Sequence, residues 1–254
     1  MKQNCYNLRP LWDVLIDMYE EIKILCDRHG IRHWAVAGTA LGAMRHQGFI
    51  PWDDDFDIAM MRPDYERFLI VAQKELPNHL VWSSVETNPE HKLSFGKVYN
   101  ISPGLRERLK HETRLDLNDG VFVDVFPIDG QPSTRLGLLI FKVIRGTLRR
   151  TIRFIPVSAQ KRRLIYQGFL KSIPIDYGDM CGVADQDSHK STAFYWNREW
   201  FATTKSMRFD ALEVPLPGAR AEFLSRSYRN WHQLPPERNR VPSHQGLPGG
   251  IIDF

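Results

Sequence analysis

Four carboxylates crowd into five positions, Asp53-Asp54-Asp55-Phe56-Asp57, and the chain on either side of them is apolar. Phe49-Ile50-Pro51-Trp52 precede the cluster and Ile58-Ala59-Met60-Met61 follow it. A solvated acidic turn needs no compensation. An acidic knot held against a core does, because burying unpaired charge is costly. Ligands that are all oxygen suit a hard divalent cation, Mg²⁺ or Mn²⁺, and such ions in clefts handle phosphate.

Strand periodicity puts Asp55 and Asp57 on one face. Asp53 joins them if the chain is extended there, and Asp54 then points the other way, as a structural residue. A further carboxylate must come from elsewhere. Asp124 is the outstanding candidate, set within the apolar run Val121-Phe122-Val123-Asp124-Val125-Phe126. A charge in such a strand requires a metal or a cationic partner.

The rest of the chain alternates helical and strand patterns, which predicts an α+β fold: a mixed sheet flanked by helices. Leu11, Leu15, Met18, Ile22 and Leu25 recur at helical spacing over 11–29, and Gly30 is a natural stop. A short strand is expected at 34–37, and Thr39 reads as the cap of a helix over 40–45. A strand over 56–61 runs into a helix over 64–76, bounded by Pro63 and Pro77. Strands are expected at 80–85, 93–99 and 121–126, the last closed by Pro127-Ile128-Asp129-Gly130. Further strands or strand edges are expected at 194–200 and 207–214, and a helix at 219–228. The Pro- and Gly-rich tail from Pro235 reads as an irregular surface wrap.

The formal charge of +4 conceals an asymmetry. Ten basic residues and no acidic ones lie between Gln131 and Ile175, so the remainder carries 24 basic against 30 acidic residues, about −6. Arg135, Lys142, Arg145, Arg149 and Arg153 fall on one helical face, with Leu136, Leu139, Ile140 and Val143 largely opposite. A second basic helix is expected over 159–171. This basic helical insertion suits an anionic membrane surface or a polyanionic acceptor. With no recognisable RNA- or DNA-binding module, nucleic acid is not the expected partner. No apolar leader opens the chain and no run approaches a membrane span. Cys5, Cys26 and Cys181 are too scattered for a disulfide framework or a zinc site. A cytoplasmic protein is expected, free or peripheral at the inner face of the membrane.

Two short motifs compete for the acidic cluster. Asp53-Asp54-x-x-Asp57 matches the acidic motif of terpene synthases, but that motif needs a helix, and Pro51 argues against one. Asp55-x-Asp57 matches the D-x-D of metal-dependent glycosyltransferases that use nucleotide sugars, and this stands as the alternative.

Gly38-Thr39 before Asp55-Phe56-Asp57-Ile58, with Asp124 on a later strand, resembles the nucleotidyltransferase fold. The long block from Gly38-Thr39-Ala40-Leu41-Gly42 through Gly48-Phe49-Ile50-Pro51-Trp52 to Ile58 resembles more closely the LicD phosphorylcholine-transferase family, which includes the fukutin-related proteins. Phe95-Gly96-Lys97-Val98-Tyr99, Val123–Gly130 and Leu234–His244 look like further family blocks. The resemblance covers 31–130 well and the tail moderately. It does not extend to the basic insertion. A single catalytic domain over 1–254 is expected, with a nucleotidyltransferase-like core at 30–130, the insertion at 131–175, and a C-terminal lobe and tail at 190–254.

The resemblance implies Mg²⁺-dependent transfer of a phospho-alcohol from a CDP-activated donor to a sugar hydroxyl, releasing CMP. Phosphocholine is the first expectation, with ribitol or glycerol phosphate also possible. The acceptor would be a cell-surface glycan or its lipid-linked precursor, as in lipopolysaccharide, teichoic acid or capsule synthesis. Asp53, Asp55, Asp57 and Asp124 would hold the metal. Gly38 and Thr39 would meet phosphate, and Arg45 and Lys97 would neutralise the diphosphate. Asp124 or Asp53 would take the acceptor's proton, with His46 and His244 as alternatives. Trp52 would face a quaternary ammonium through cation–π contact. His244 stands alone where the family pattern has a pair of histidines.

Overall fold

The computed structural model describes residues 6–183 and 194–242. Its first helix, α1 (Arg9–His29), buries Leu11, Leu15, Met18, Ile22 and Leu25 and ends at Gly30, whose φ of 60° is left-handed. It starts earlier than the spacing implies because Pro10 fits the first turn.

The central sheet is built from β1 (Trp34–Ala35), β2 (Asp57–Met61), β3 (Leu80–Ser83), β4 (Gly96–Asn100) and β5 (Phe122–Gln131), in the order β1-β2-β5-β4-β3. Only β2 and β5 run parallel; β1 pairs antiparallel with β2, and β4 with both β5 and β3. The sheet is therefore mixed, and β5 is its axis. Helices α2 (Ala37–His46), α3 (Arg62–Glu75) and α4 (Leu105–Thr113) join these strands. β6 (Met180–Gly182) pairs with the far end of β5, and β7 (Tyr195–Asn197) pairs with β6.

Three expectations shift. β4 starts at Gly96 rather than Leu93, because 84–95 form a loop beside the site. β5 does not close at Pro127 but continues to Gln131. The Asp124 N–H donates to Phe56 O on the β2 side, so the strand's two-residue period turns the Pro127 nitrogen toward β4. The ladder with β4 has already ended at Val125, and no bond is lost. The run expected at 207–214 is a hairpin, β8 (Thr204–Phe209) and β9 (Leu212–Pro217), with Asp210 left-handed in its turn.

One large core joins α1, the sheet, the hairpin and α7 (Arg220–Tyr228). The basic insertion forms α5 (Arg135–Thr151) and α6 (Ala159–Leu170), capped by Thr134 and Ser158. These two helices share a separate small core of Phe141, Ile152, Tyr166 and Leu170. Cys26 and Cys181 are buried free thiols, and burial pushes Cys181 up to about 12.

Candidate active site

The acidic segment is anchored by the one residue in it that is not acidic. Phe56 is fully buried, its ring 4.7 Å from that of Tyr19, 5.3 Å from Phe209 and 5.9 Å from Phe49. The Asp53 N–H closes a turn onto Ile50 O, and Trp12 Nε1 donates to Asp53 O at 2.8 Å. Backbone and aromatic contacts thus hold four mutually repelling carboxylates in place.

Register then builds the floor of the site. Parallel pairing sets Asp57 opposite Asp124, and antiparallel pairing sets Lys97 opposite Asp124. Residues paired across neighbouring strands project from the same face. Asp57, Asp124 and Lys97 therefore form a row across three strands, only 5%, 5% and 6% exposed. Lys97 Nζ lies 2.6 Å from Asp124 Oδ1 and 3.2 Å from the centre of the Phe122 ring. The cationic partner that a buried Asp124 requires is Lys97.

The N-terminus of α2 meets Asp57 from the side. The backbone N–H of Gly38 hydrogen-bonds the Asp57 carboxylate, and the Val36 N–H donates to Asp57 O. A helix N-terminus favours negative charge. Gly38 is needed for closeness, since a Cβ there would sit 2.4 Å from Asp53 Oδ2. Thr39 is not the helix cap. The helix begins at Ala37, two residues earlier, and the Thr39 hydroxyl accepts from the Asp57 N–H at 2.8 Å. Gly38 and Thr39 thus hold Asp57 in place and do not line the cleft.

Burial, then the charge of Asp55, raise the pKa of both Asp53 and Asp57 well above the usual carboxylate range. Lys97 pulls Asp57 part of the way back. Asp53 Oδ2 is buried with no hydrogen-bond partner. Asp53, Asp54 and Asp55 each present an oxygen within 4.8 Å of the others. Asp54 therefore joins the cluster, because 53–56 lie outside the strand, which begins at Asp57, and strand alternation does not apply. An all-carboxylate oxygen set that includes the buried Asp53 Oδ2 fits a hard divalent cation.

Asp55, Asp57, Asp124 and Lys97 line a cleft of about 1030 Å³. Trp82, Phe95, Tyr99 and Phe122 also line it, together with Asn88, Lys92 and Arg106. Trp82 lies directly over Gly96, where a Cβ would fall 1.9 Å from the indole. Helix α4, the loop 84–95 and most of these wall residues lie outside the sequence-derived site. The i,i+4 spacing of Leu105 and Leu109 is the signal that α4 offers.

Other candidates sit apart from the cleft. Arg45 directs Nη1 at the carbonyls of Trp231 and Gln233, tying α2 to the C-terminal segment. Its charge also reaches Asp53. Trp52 already faces a cation, with the Arg240 guanidinium 5.6 Å from its ring and the edge of His46 at 6.5 Å. Burial, then Arg45, lower the pKa of His46. His244 lies outside the described residues. Tyr228, at the end of α7, is a neighbour of the cluster that the sequence did not single out. Burial raises its phenol pKa, and Asp57, Asp53 and Asp55 add to the rise.

Residues 30–141 match the family model for the LicD/FKTN/FKRP nucleotidyltransferase domain. The lipopolysaccharide cholinephosphotransferase LicD of Haemophilus influenzae is 25% identical over 263 residues, spanning 93% of this chain and 96% of that protein. An uncharacterized protein of Rickettsia prowazekii is 44% identical over 91 residues, 36% of this chain and 29% of its own length. One of Rickettsia typhi is 43% identical over 58 residues, 23% of this chain and 18% of its own. The matched stretch holds the whole row of Asp57, Asp124 and Lys97 together with the acidic knot beside it, and over residues 30–141 the chain is similar to the LicD family.

Proposed function

We propose that the chain is a phosphotransferase that moves a phospho-alcohol, phosphocholine first among them, from a CDP-activated donor to a sugar hydroxyl of a cell-surface glycan or its lipid-linked precursor. The observation that carries this reading is the buried row Asp57–Asp124–Lys97 on a large cleft, with the Asp53–Asp54–Asp55 cluster beside it and Asp55 also on the cleft. The lipopolysaccharide acceptor named for the Haemophilus relative supports a glycolipid here. The site of action proposed is the cytoplasm, at the inner face of the membrane.

Asp53, Asp55, Asp57 and Asp124, with Asp54 added by the cluster's geometry, would hold Mg²⁺ or Mn²⁺. Bound there, the ion supplies charge neutralisation for phosphate oxygens. The chain's own residues do the rest. Lys97 pairs with Asp124 and compensates its charge in a buried setting. Trp82, Phe95, Tyr99 and Phe122 offer apolar walls to a nucleoside base. Lys92 and Arg106 add positive charge to the cleft lining. The acceptor hydroxyl gives its proton to Asp55, half-buried on the cleft, which Asp53 backs through a side-chain hydrogen bond.

The test is incubation with Mg²⁺ and, separately, CDP-choline, CDP-ribitol, CDP-glycerol and UDP-sugars. CMP release is expected, and UDP release alone would instead establish a D-x-D glycosyltransferase. Asp55→Asn and Asp57→Asn are each expected to cut turnover by roughly a thousandfold or more, with the thermal transition retained. Full activity in both would overturn the metal assignment.

A further inference from the structure

Helix α5 turns its apolar side away from the protein. Leu136, Leu139, Ile140, Val143 and Ile144 are each between 48% and 67% exposed, while Phe141 packs inward onto α6. At 100° per residue the five exposed side chains fall in an arc of about 140° and span a little over two turns. Phe154, just beyond the helix, is 77% exposed. An amphipathic helix in a globular protein normally presents its apolar stripe to the core. Here the stripe faces solvent, and a contiguous exposed apolar patch marks an interaction surface.

Charge identifies the occupant. Arg135 precedes the stripe, and Arg150 and Arg153 follow it at and just beyond the end of the helix. The ten basic residues of this segment meet no acidic residue within it. A second copy docking through this face would bring two such segments together with like charges opposed. An anionic lipid surface supplies the opposite charge and an apolar boundary at once. No helix among the described residues is long and apolar enough to cross a membrane.

We propose that α5 lies flat on an anionic membrane, with Leu136, Leu139, Ile140, Val143 and Ile144 inserted at the headgroup–acyl boundary and the flanking arginines on the lipid phosphates. The inference rests on this surface alone and holds whichever donor the cleft takes. The insertion is also joined to the cleft. Gln160 Nε2 donates to Val85 O, Arg163 Nη1 to Pro89 O and Gln167 Nε2 to Ser94 O, so α6 holds the loop 84–95 that walls the cleft. Membrane docking therefore sets the cleft wall at a fixed height above the lipid.

The test is vesicle flotation of the full chain, with phosphatidylcholine alone and with phosphatidylcholine mixed with phosphatidylglycerol. Binding to the mixed vesicles is expected, and little to the neutral ones. Leu139→Asp and Val143→Asp should each weaken that binding by roughly tenfold or more. Both positions are exposed, so thermal transitions should be unchanged. Ile140→Trp should give a blue-shifted emission on mixed vesicles, a readout that contact without insertion does not produce. Equal binding to both vesicle types, an unaffected Val143→Asp, or no shift from Ile140→Trp would overturn the proposal. So would a dimer in solution that Val143→Asp converts to a monomer, since a second copy would then cover the face.

Discussion

Lys97 decides whether the buried row is an electrostatic liability or a site. Removing it leaves Asp124 buried among carboxylates with no cation, a loss of about 3–5 kcal/mol. Lys97→Met should lower stability to that extent in urea unfolding without metal, and added Mg²⁺ should recover part of the loss. No recovery would separate the row from metal binding. His33 carries a pH effect of its own. It is buried, its Nε2 lies 3.0 Å from Tyr19 Oη, and burial lowers its pKa from 6.5 to about 4. Between those values the unfolded chain binds the proton that the folded chain refuses, so stability falls as pH drops from about 6.5 toward 4. At pH 5 the cost is roughly 2 kcal/mol. His33→Gln, which keeps a polar side chain without the titration, should flatten that part of the melting-temperature profile; an unchanged slope would reassign it. The sequence exposes Asp55, Asp57 and Asp124 because charges within apolar runs are locally conspicuous. It does not show that Lys97 pairs with Asp124, because that requires the register of three strands separated by loops. Tyr228 is hidden for the same reason, being local only in space.

At the scale of elements, a helix's periodicity states that it has two faces and not which one meets the core. The pattern 136–143 makes α5 amphipathic, yet the small core of the insertion takes Phe141 and leaves the broader stripe outside. β5 illustrates the opposite case. Pro127 reads as a terminator in sequence, but its nitrogen faces an edge where no ladder continues, so the strand runs on. The loop 84–95 takes part of its shape from α6, about 75 residues away in sequence. Arg163 is the strongest of those links, buried and 2.7 Å from Pro89 O. Arg163→Ala should free the loop, raise KM for the nucleotide donor by about fivefold, the equivalent of about 1 kcal/mol, and leave kcat nearly unchanged. Limited proteolysis should also cut 84–95 sooner. A fall in kcat with an unaltered loop would place Arg163 in another role.

At the scale of the whole molecule, the insertion leaves and rejoins the core at one point. Gln131 ends β5, Met180 begins β6, and the two are Cα partners in an antiparallel pair. The 48 residues between them, 132–179, carry ten basic and two acidic residues, so removing them takes the formal charge from +4 to −4. Their apolar cluster is separate from the main core, and the sheet row of Asp57, Asp124 and Lys97 lies wholly outside them. Two paired antiparallel ends are what a two-residue Asn-Gly turn joins. A chain in which Asn-Gly replaces 132–179 should therefore keep a cooperative thermal transition and the stabilisation by Mg²⁺ proposed for the intact chain. It should lose flotation with anionic vesicles, and its loop 84–95, deprived of Gln160, Arg163 and Gln167, should become protease-sensitive. The basic charge and the catalytic chemistry would then be assigned to separable parts of one chain. Loss of the cooperative transition would show instead that the insertion is part of what folds the site.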